Sequence, residues 1–285
     1  MDSFIRASED KKKIVMKKSL RALLTVTLVF CVSLAAAAEK ETIAIIGTGD
    51  LGDSFGIRLA ELGYPVIYGS RTPQSERVKA VVERTAHGAT ATTQLAAAEQ
   101  SDIVILPINW PAMESAVSGL GSLSGKIVID PSAPWTQGKD GYPESMLESS
   151  SAEMIQQWKP DAKVVKAFGT MGSGVIDDPR MAGGPVTIPI ASDHRDAKER
   201  VARLVTELGF DPVDFGPVRM ARLVEALGLI YMIPLLQDRE EEWEFFFRRN
   251  SDWVCRFRDE WADPVFDADN LADMSDQIDP EHLCR

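Results

Sequence analysis

Three glycines, Gly47, Gly49 and Gly52, have a spacing that suits the binding of an anion. They lie in the stretch TIAIIGTGDLGDSFGIRLAELG, after a short run of apolar, β-branched residues and before a run with helical periodicity. At such a strand-to-helix turn, the first glycine permits a tight turn, the second lets the backbone approach a diphosphate, and the third lets helix and strand pack closely. The free N–H groups and the positive dipole end of the helix then bind the anion. The turn is therefore predicted to hold the diphosphate of a dinucleotide.

The end of the next predicted strand indicates which dinucleotide this turn would hold. NAD-binding proteins usually carry an acid about 20 residues after the glycines, where it bonds the ribose 2′-hydroxyl. Here that place reads Tyr68-Gly69-Ser70-Arg71-Thr72 and contains no acid. Arg71 can form charge-assisted hydrogen bonds with a 2′-phosphate, and Ser70 and Thr72 can donate others. The sequence favours NADP(H) over NAD(H), with a solvated loop charge as the alternative interpretation of Arg71.

Strand and helix signals alternate along the chain from Glu41 onward. Short apolar runs such as TIAIIG, PVIYGS, DIVILPI and KIVID predict buried strands, and the amphipathic runs between them predict helices. One helix is expected over residues 72–86, with Thr72 as its N-cap and Pro73 in its first turn. The alternation predicts an α/β fold with a doubly wound parallel sheet of the Rossmann type. Its ligand crevice is expected at the carboxyl ends of the strands.

The chain is predicted to contain two further regions after the dinucleotide-binding domain of residues 41–182. Residues 183–236 carry two strand signals and two helix signals, which predict a small α+β annex for substrate binding or dimerisation. Residues 237–285 form an acidic, aromatic tail in which Trp253, Phe257 and Trp261 share one helical face. That helix is expected to pack on its own domain or on a second copy of the chain. A homodimer formed through the C-terminal region is therefore one predicted assembly.

The first 38 residues have the layout of a targeting segment. A basic stretch with Lys17, Lys18 and Arg21 precedes an uncharged apolar run that ends in small residues at Ala38. This arrangement predicts a cleaved secretory signal. An uncleaved anchor is the alternative, although the run is slightly short for a membrane span of about 20 residues. The protein is expected to be exported or membrane-anchored, and a cytoplasmic location stays open because NADP(H) is scarce elsewhere.

Composition and residue pattern argue against several classes of function. The chain has 31 Lys and Arg against 43 Asp and Glu, a net charge of −12. A nucleic-acid partner is not expected, since binding phosphates along a backbone requires a basic patch. The cysteines and histidines have no metal-ligand spacing, so no metal site is expected. No Ser-His-Asp or Cys-His set is recognisable, and the catalytic residues stay unassigned, with Lys166 as the one candidate acid or base near the predicted crevice.

The stretch from Thr42 to Leu227 resembles the NADP oxidoreductase family that includes the NADPH-dependent reductases of the deazaflavin coenzyme F-420. The resemblance rests on IAIIGTGDLG, on the GSR ending of the second strand, and on the later runs SDIVILPI, IVIDPSAPW and AKVVKAFGT. It implies hydride transfer between NADP(H) and a flavin-like or deazaflavin acceptor, a small molecule stacked beside the nicotinamide. The cofactor supplies that chemistry, while the protein positions two rings and excludes water.

The resemblance also implies which residues surround the cofactor. Ser70 and Arg71 would read the 2′-phosphate. Leu106 and Pro107 would lie beside the path from adenine to nicotinamide. Pro134 and the segment 167–171, beginning at Ala167, would border the nicotinamide and the second ring. The residues implied to line the diphosphate are Gly47, Thr48, Gly49, Asp50, Leu51 and Gly52.

Two positions depart from the pattern of that family, because Ala133 and Gly169 stand where the family usually has Asn. Hydrogen bonds made by those amides are absent here, and sites built around such bonds discriminate strongly between substrates. The binding domain also resembles that of metalloreductases in which NADPH reduces a flavin, so a free flavin or a quinone is a further candidate acceptor. Two other functions stay open. One is a dehydrogenase of a small hydroxy or imino acid with Lys166 as acid or base; the other is a non-catalytic NADP-binding or sensing protein.

Overall fold

Residues 40–238, 241 and 243–247 are described by the computed structural model. Their strands are β1 (Ile43–Ile46), β2 (Val66–Ser70), β3 (Thr90–Thr93), β4 (Ile103–Ile105), β5 (Ile127–Asp130), β6 (Trp135–Gln137), β7 (Pro143–Ser145), β8 (Lys163–Lys166), β9 (Thr187–Ala191) and β10 (Asp211–Gly216). Eight of them form one sheet in the order β10-β9-β8-β5-β4-β1-β2-β3. Neighbours pair in parallel, except that β8 and β9 meet antiparallel at Lys166 and Ala191. The prediction of a doubly wound parallel sheet is confirmed, and the sheet is mostly rather than wholly parallel.

Helices cover both faces of this sheet. The α-helices in the described residues are α1 (Asp50–Glu61), α2 (Glu76–Thr85), α3 (Gln94–Glu99), α4 (Met113–Ser118), α5 (Ser151–Trp158), α6 (Ser173–Asp177), α7 (Arg195–Glu207) and α8 (Ala221–Leu236). The strand β1 shows why two faces are needed. Ile43 and Ile45 belong to one hydrophobic cluster and Ala44 and Ile46 to another, and all four are fully buried. Strands buried on both faces read as continuous apolar runs, as this one does.

The prediction of Thr72 as an N-cap was wrong, because α2 begins later. Its N-cap is Ser75, whose Oγ accepts a hydrogen bond from the Val78 N–H at 3.4 Å. Thr72 instead belongs to the loop after β2, where its N–H donates to Ser70 Oγ at 3.1 Å. That bond ties the loop to the end of the strand, so the chain makes a turn before the helix starts.

Strands β9 and β10 lie at the edge of the main sheet. They come from the region predicted as a separate annex, but Ser192 Oγ donates to Val164 O at 2.6 Å and β9 pairs with β8 at one residue. Helix α7 covers these strands with Ala197, Val201 and Leu204, which are fully buried. Strands β9 and β10 therefore extend the sheet that the strands of residues 41–182 form.

A short hairpin and a long helix complete the part of the molecule that surrounds the site. The hairpin is the antiparallel pair β6–β7, and it contacts the end of α8, where Gln237 Nε2 donates to Gly141 O at 3.1 Å. Gly228 lets α8 approach the loop after β8, since a Cβ at this position would lie 2.5 Å from Gly169 O. Helix, hairpin and loop thus enclose one end of the sheet.

The tail of residues 237–285 was predicted to be helical, and its described residues, 237, 238, 241 and 243–247, lie in no helix. Phe245 O accepts from the Thr187 N–H at 2.8 Å, and the Phe247 N–H donates to Thr187 Oγ1 at 2.9 Å. The Phe245 carbonyl and the Phe247 N–H are thus bonded to the start of β9 rather than to a helix. The predicted aromatic face of Trp253, Phe257 and Trp261 lies outside the described residues.

The predicted signal or anchor of residues 1–38 also lies outside the described residues. Within residues 40–238, 241 and 243–247, no helix has the length and apolar character needed to cross a membrane.

Candidate functional site

A cleft of about 1610 Å³ lies at the carboxyl ends of the central strands. It runs from the end of β2, past β1, β4 and β5, to the loop after β8. From β2 to β8 there are four strand spacings, or about 19 Å at roughly 4.8 Å each. The strand order reverses at β1, which has β2 on one side and β4 on the other. In open α/β sheets this reversal is where ligands bind.

The glycine turn forms the middle of the cleft, and each glycine has a distinct geometric role. Gly47 has φ of 139°, which a residue with a side chain rarely adopts. Gly49 lines the cleft, and a Cβ there would meet no atom within 4 Å. Gly52 is buried beneath the turn, and its Cβ would overlap Gly47 O. The second glycine therefore faces open space while the first and third shape the backbone.

The N-terminus of α1 points its first amide groups into this part of the molecule. Its N-cap is Gly49, which has no side chain to accept those N–H groups, and Asp50 and Leu51 line the cleft. Unpaired amides at a helix start, together with the helix dipole, form an anion site. The geometry can hold a diphosphate through backbone donors alone.

Two arginines line the cleft near the end of β2. Arg71 follows the strand directly and Arg77 lies in the first turn of α2; both are exposed. The Arg77 Nη2 atom donates to Thr48 O at 3.3 Å, which fixes this guanidinium beside the glycine turn. With Ser70 and Ser75 they form a group of donors that suits a second anion. We call this end of the cleft the basic half.

Arg77 was not recognised from the sequence as a site residue. The signal was its position two residues after the N-cap Ser75, on the helix that follows the Arg71 loop. It was missed because the helix was predicted to begin at Thr72, which would place Arg77 on its second turn. The later start brings Arg77 back toward the cleft.

The other end of the cleft, over β5 and β8, has a different lining. Its side chains are apolar, aromatic or thioether groups; we call this end the apolar half, lined by Trp135, Met146, Met171, Tyr231, Met232 and Leu235. Small residues complete it, including Ala133, Gly169 and Gly172. Tyr231 OH accepts a hydrogen bond from the Gly172 N–H at 2.9 Å, so this ring is held by the loop after β8.

The second residue of the loop after β8, Phe168, has a strained backbone. Phe168 has φ of 65° and is 1% exposed, and its ring packs edge-on against Phe55 and Phe210. A positive φ at a residue other than glycine costs about 1–3 kcal/mol and persists only where the surrounding packing enforces it. Such residues cluster at functional sites. Here the strain directs Gly169 and the residues after it into the cleft.

A buried ionic cluster lies beneath the apolar half. Lys166 is 0% exposed, and its Nζ lies 2.9 Å from Asp130 Oδ2, 2.8 Å from Glu225 Oε1 and 2.8 Å from Ser151 Oγ. It also donates to the carbonyl of Ser132, a residue that lines the cleft. Burial acts to lower the pKa of Lys166, but the two carboxylates outweigh it and raise the pKa above its ordinary value. The lysine is thus a charged structural group.

The predicted site residues fall into two sets. Those that line the cleft are Gly47, Thr48, Gly49, Asp50, Leu51, Ser70, Arg71, Thr72 and Pro107. Those that lie behind the lining are Gly52, Leu106, Pro134 and Ala167. Leu106 and Ala167, which directly follow β4 and β8, are fully buried in the hydrophobic clusters on the two faces of the sheet. Their neighbours Pro107 and Gly169 face the cleft instead.

The parallel sheet, the glycine turn and the cleft at the strand reversal define a dinucleotide-binding protein of the Rossmann class. Residues 42–134 match the family model described as NADP oxidoreductase coenzyme F420-dependent. The F420-dependent NADP reductase of Methanothermobacter marburgensis is 30% identical over 203 residues, which cover 65% of this chain and 88% of that protein. The chain belongs to the coenzyme F420-dependent NADP oxidoreductase family, as predicted.

Two further comparisons describe the range of the similarity. A crystal structure of a putative F420-dependent NADP reductase from Arthrobacter sp. FB24 has a TM-score of 0.67 and 26% identity, covering 73% of this chain and 100% of that one. The human metalloreductase STEAP2 is 33% identical over 195 residues, which cover 67% of this chain. The match spans only 36% of the length of that metalloreductase. Relatives of this fold thus differ in what surrounds the shared domain.

Proposed function

We infer that the protein is an NADPH-dependent oxidoreductase that transfers hydride between NADP(H) and a planar ring acceptor. The observation that carries this proposal is the pair of arginines at the end of β2, where no carboxylate lines the cleft among residues 69–78. A guanidinium favours a 2′-phosphate, whereas an acid in this place would repel it. Family relatives named as NADP reductases support the same cofactor.

The residues of the cleft suit a cofactor lying across the strand ends. The amides at the start of α1 would hold the diphosphate, and Ser70, Arg71 and Arg77 would hold the 2′-phosphate. The nicotinamide, which supplies the hydride when the cofactor is bound, would then lie toward the loop after β8. There the apolar half excludes water and positions a second ring by contact, which is what direct hydride transfer requires of the protein.

The alternative of a dehydrogenase with Lys166 as acid or base has no support in the geometry. Lys166 is fully buried and surrounded by two carboxylates, a hydroxyl and a carbonyl. A general acid or base must come within hydrogen-bond reach of the substrate proton, directly or through one water. This lysine faces the protein interior, so a positioning role is the one that its contacts support.

The first test is oxidation of NADPH by the purified full-length protein. NADPH fluorescence should change on binding, and the absorbance of the reduced nicotinamide should fall when acceptors are added. The flavin-like and deazaflavin rings predicted from the sequence, together with quinones, form the acceptor panel. If NADPH binds but no acceptor oxidises it, the proposed enzymatic activity is contradicted and a non-catalytic NADP-binding protein is favoured.

A further inference from the structure

The distribution of charge along the cleft separates its two halves. Among the described residues, the charged side chains that line the cleft are Asp50, Arg71 and Arg77. All three belong to the glycine turn or the basic half. The apolar half is lined by no lysine, arginine, aspartate or glutamate within the described part of the chain. An anionic ligand would therefore find paired cations at one end and none at the other.

The groups around the apolar half add negative charge. Beneath its floor, one cation, Lys166, faces two carboxylates, Asp130 and Glu225, which leaves a formal excess of one negative charge. The hairpin segment that contributes Trp135 and Met146 to the lining carries three exposed acids against one exposed lysine, namely Asp140, Glu144, Glu148 and Lys139. Like charges brought together on binding repel each other, so a phosphorylated acceptor is disfavoured in this half.

The chemistry of the lining suits an uncharged flat ring. Trp135 and Tyr231 offer aromatic faces, and Met146, Met171 and Met232 offer flexible, polarisable thioethers. Aromatic rings and methionine sulfur both make favourable contacts with planar apolar ligands. Glycines at the floor, such as Gly169, have no side chain, so a ligand in this half can lie close to the backbone of the floor.

From this charge pattern we propose that the acceptor is an uncharged, apolar, planar two-electron acceptor of the quinone class, rather than a phosphate-bearing flavin or deazaflavin. The inference rests on the proposed function, since it names the acceptor for the same hydride. In the reaction, the C4–H bond of the dihydronicotinamide breaks and its hydrogen passes to the quinone with the electron pair. One proton from solvent completes the hydroquinone, and NADP⁺ is the second product.

The acceptor preference is tested with full-length protein and saturating NADPH, after subtraction of the uncatalysed rate. Menadione represents the quinones, and riboflavin and FMN form a matched pair that differs by one phosphate. We expect kcat/KM for menadione, and that for riboflavin, to exceed the value for FMN by about ten-fold or more. A preference for FMN, or for the phosphorylated deazaflavin F-420, would overturn this inference and leave the proposed function standing. Binding of NADPH with no acceptor reduced would overturn both.

A charge variant gives a second, independent readout. Met146 lines the apolar half and is 44% exposed, so Met146→Lys would add a cation at its mouth. We expect the ratio of kcat/KM for FMN to that for menadione to rise by about two- to five-fold, the scale of a partly exposed ion pair. Met181, which is 74% exposed and outside the cleft lining, provides the control Met181→Lys, for which the ratio should not change. An equal change of this ratio in both variants would show that the apolar half does not discriminate between acceptors by their charge.

Discussion

At the scale of single residues, the site depends on glycines whose side-chain hydrogens face different surroundings. A Cβ at Gly49 would enter the open cleft, whereas a Cβ at Gly52 would overlap the carbonyl of Gly47. Both residues belong to the same motif and are three positions apart. A larger side chain at Gly49 would compete with a bound ligand, whereas one at Gly52 would disturb the fold. Substitutions at the two positions should therefore separate ligand binding from stability.

We therefore expect Gly49→Ala and Gly52→Ala to have opposite profiles. Gly49→Ala should cost under about 1 kcal/mol of unfolding free energy, since its φ of −82° suits alanine, yet weaken NADPH binding by about ten-fold or more. Gly52→Ala should cost several kcal/mol because the turn must shift. Urea denaturation and NADPH fluorescence titration measure the two effects. Unchanged NADPH affinity in Gly49→Ala would contradict the placement of the diphosphate.

The glycine turn and the cation at Arg71 were predictable from the sequence because each lies within a short local pattern. Arg77 was not, because its place depends on where α2 begins, and helix boundaries are the least certain part of a sequence-based prediction. The departures at Ala133 and Gly169 were visible, but Tyr231 and Met232 of α8 and Trp135 of the hairpin also line this half. Residues so distant in sequence show their contact only in the folded chain.

At the scale of elements, the Lys166 cluster joins four parts of the chain. Lys166 ends β8, Asp130 ends β5, Ser151 begins α5 and Glu225 lies in α8. The Ser151 N–H and Oγ both contact Glu225 Oε1, at 2.9 and 2.6 Å. Removal of one partner from such a buried set leaves uncompensated charge. The cluster therefore fixes α8 against the floor of the apolar half.

Lys166→Met should destabilise the protein by about 3–5 kcal/mol, because two buried carboxylates lose their cation. Lys163→Met on the same strand is the matched control, since Lys163 pairs with the exposed Asp196 and its loss should cost under about 1 kcal/mol. The raised pKa of Lys166 means that its contribution is present below the ordinary value of 10.5 and is lost as pH rises through the folded-state pKa. Denaturation of both variants at neutral and alkaline pH measures this. Equal losses in the two would contradict a structural role for the cluster.

The alternation of strands and helices was predictable because each buried strand reads as a short apolar run. The position of β9 and β10 in the sheet was not predictable from the sequence. These strands join the main sheet through one antiparallel contact and through the hydrogen bond from Ser192 Oγ to Val164 O. Nothing local in residues 183–216 distinguishes an added edge from a separate sheet. The same holds for Lys166, whose partners lie between 15 and 59 residues away.

At the scale of the whole molecule, charge is distributed unevenly. The chain has a net charge of −12, yet the basic half presents two arginines to the cleft. Such a local cation pair within an acidic protein directs a phosphorylated cofactor to one end and leaves the other end to an uncharged partner.

Helix α8 also exposes Leu223 and Ile230, seven positions apart on one face. The homodimer stays a prediction, which sedimentation velocity would test.

If the basic half binds the 2′-phosphate of NADP(H), the ratio of Kd for NADH to Kd for NADPH should be lower in Arg71→Ala than in wild type. We expect Arg71→Ala to weaken NADPH by about ten-fold or more, the scale of a charge-assisted hydrogen bond, while NADH affinity stays the same. Lys79→Ala is the control, because this exposed lysine of α2 pairs with Glu76 outside the cleft lining. Equal loss of affinity for both nucleotides in Arg71→Ala, or equal affinity of wild type for NADH and NADPH, would contradict binding of the 2′-phosphate by the basic half.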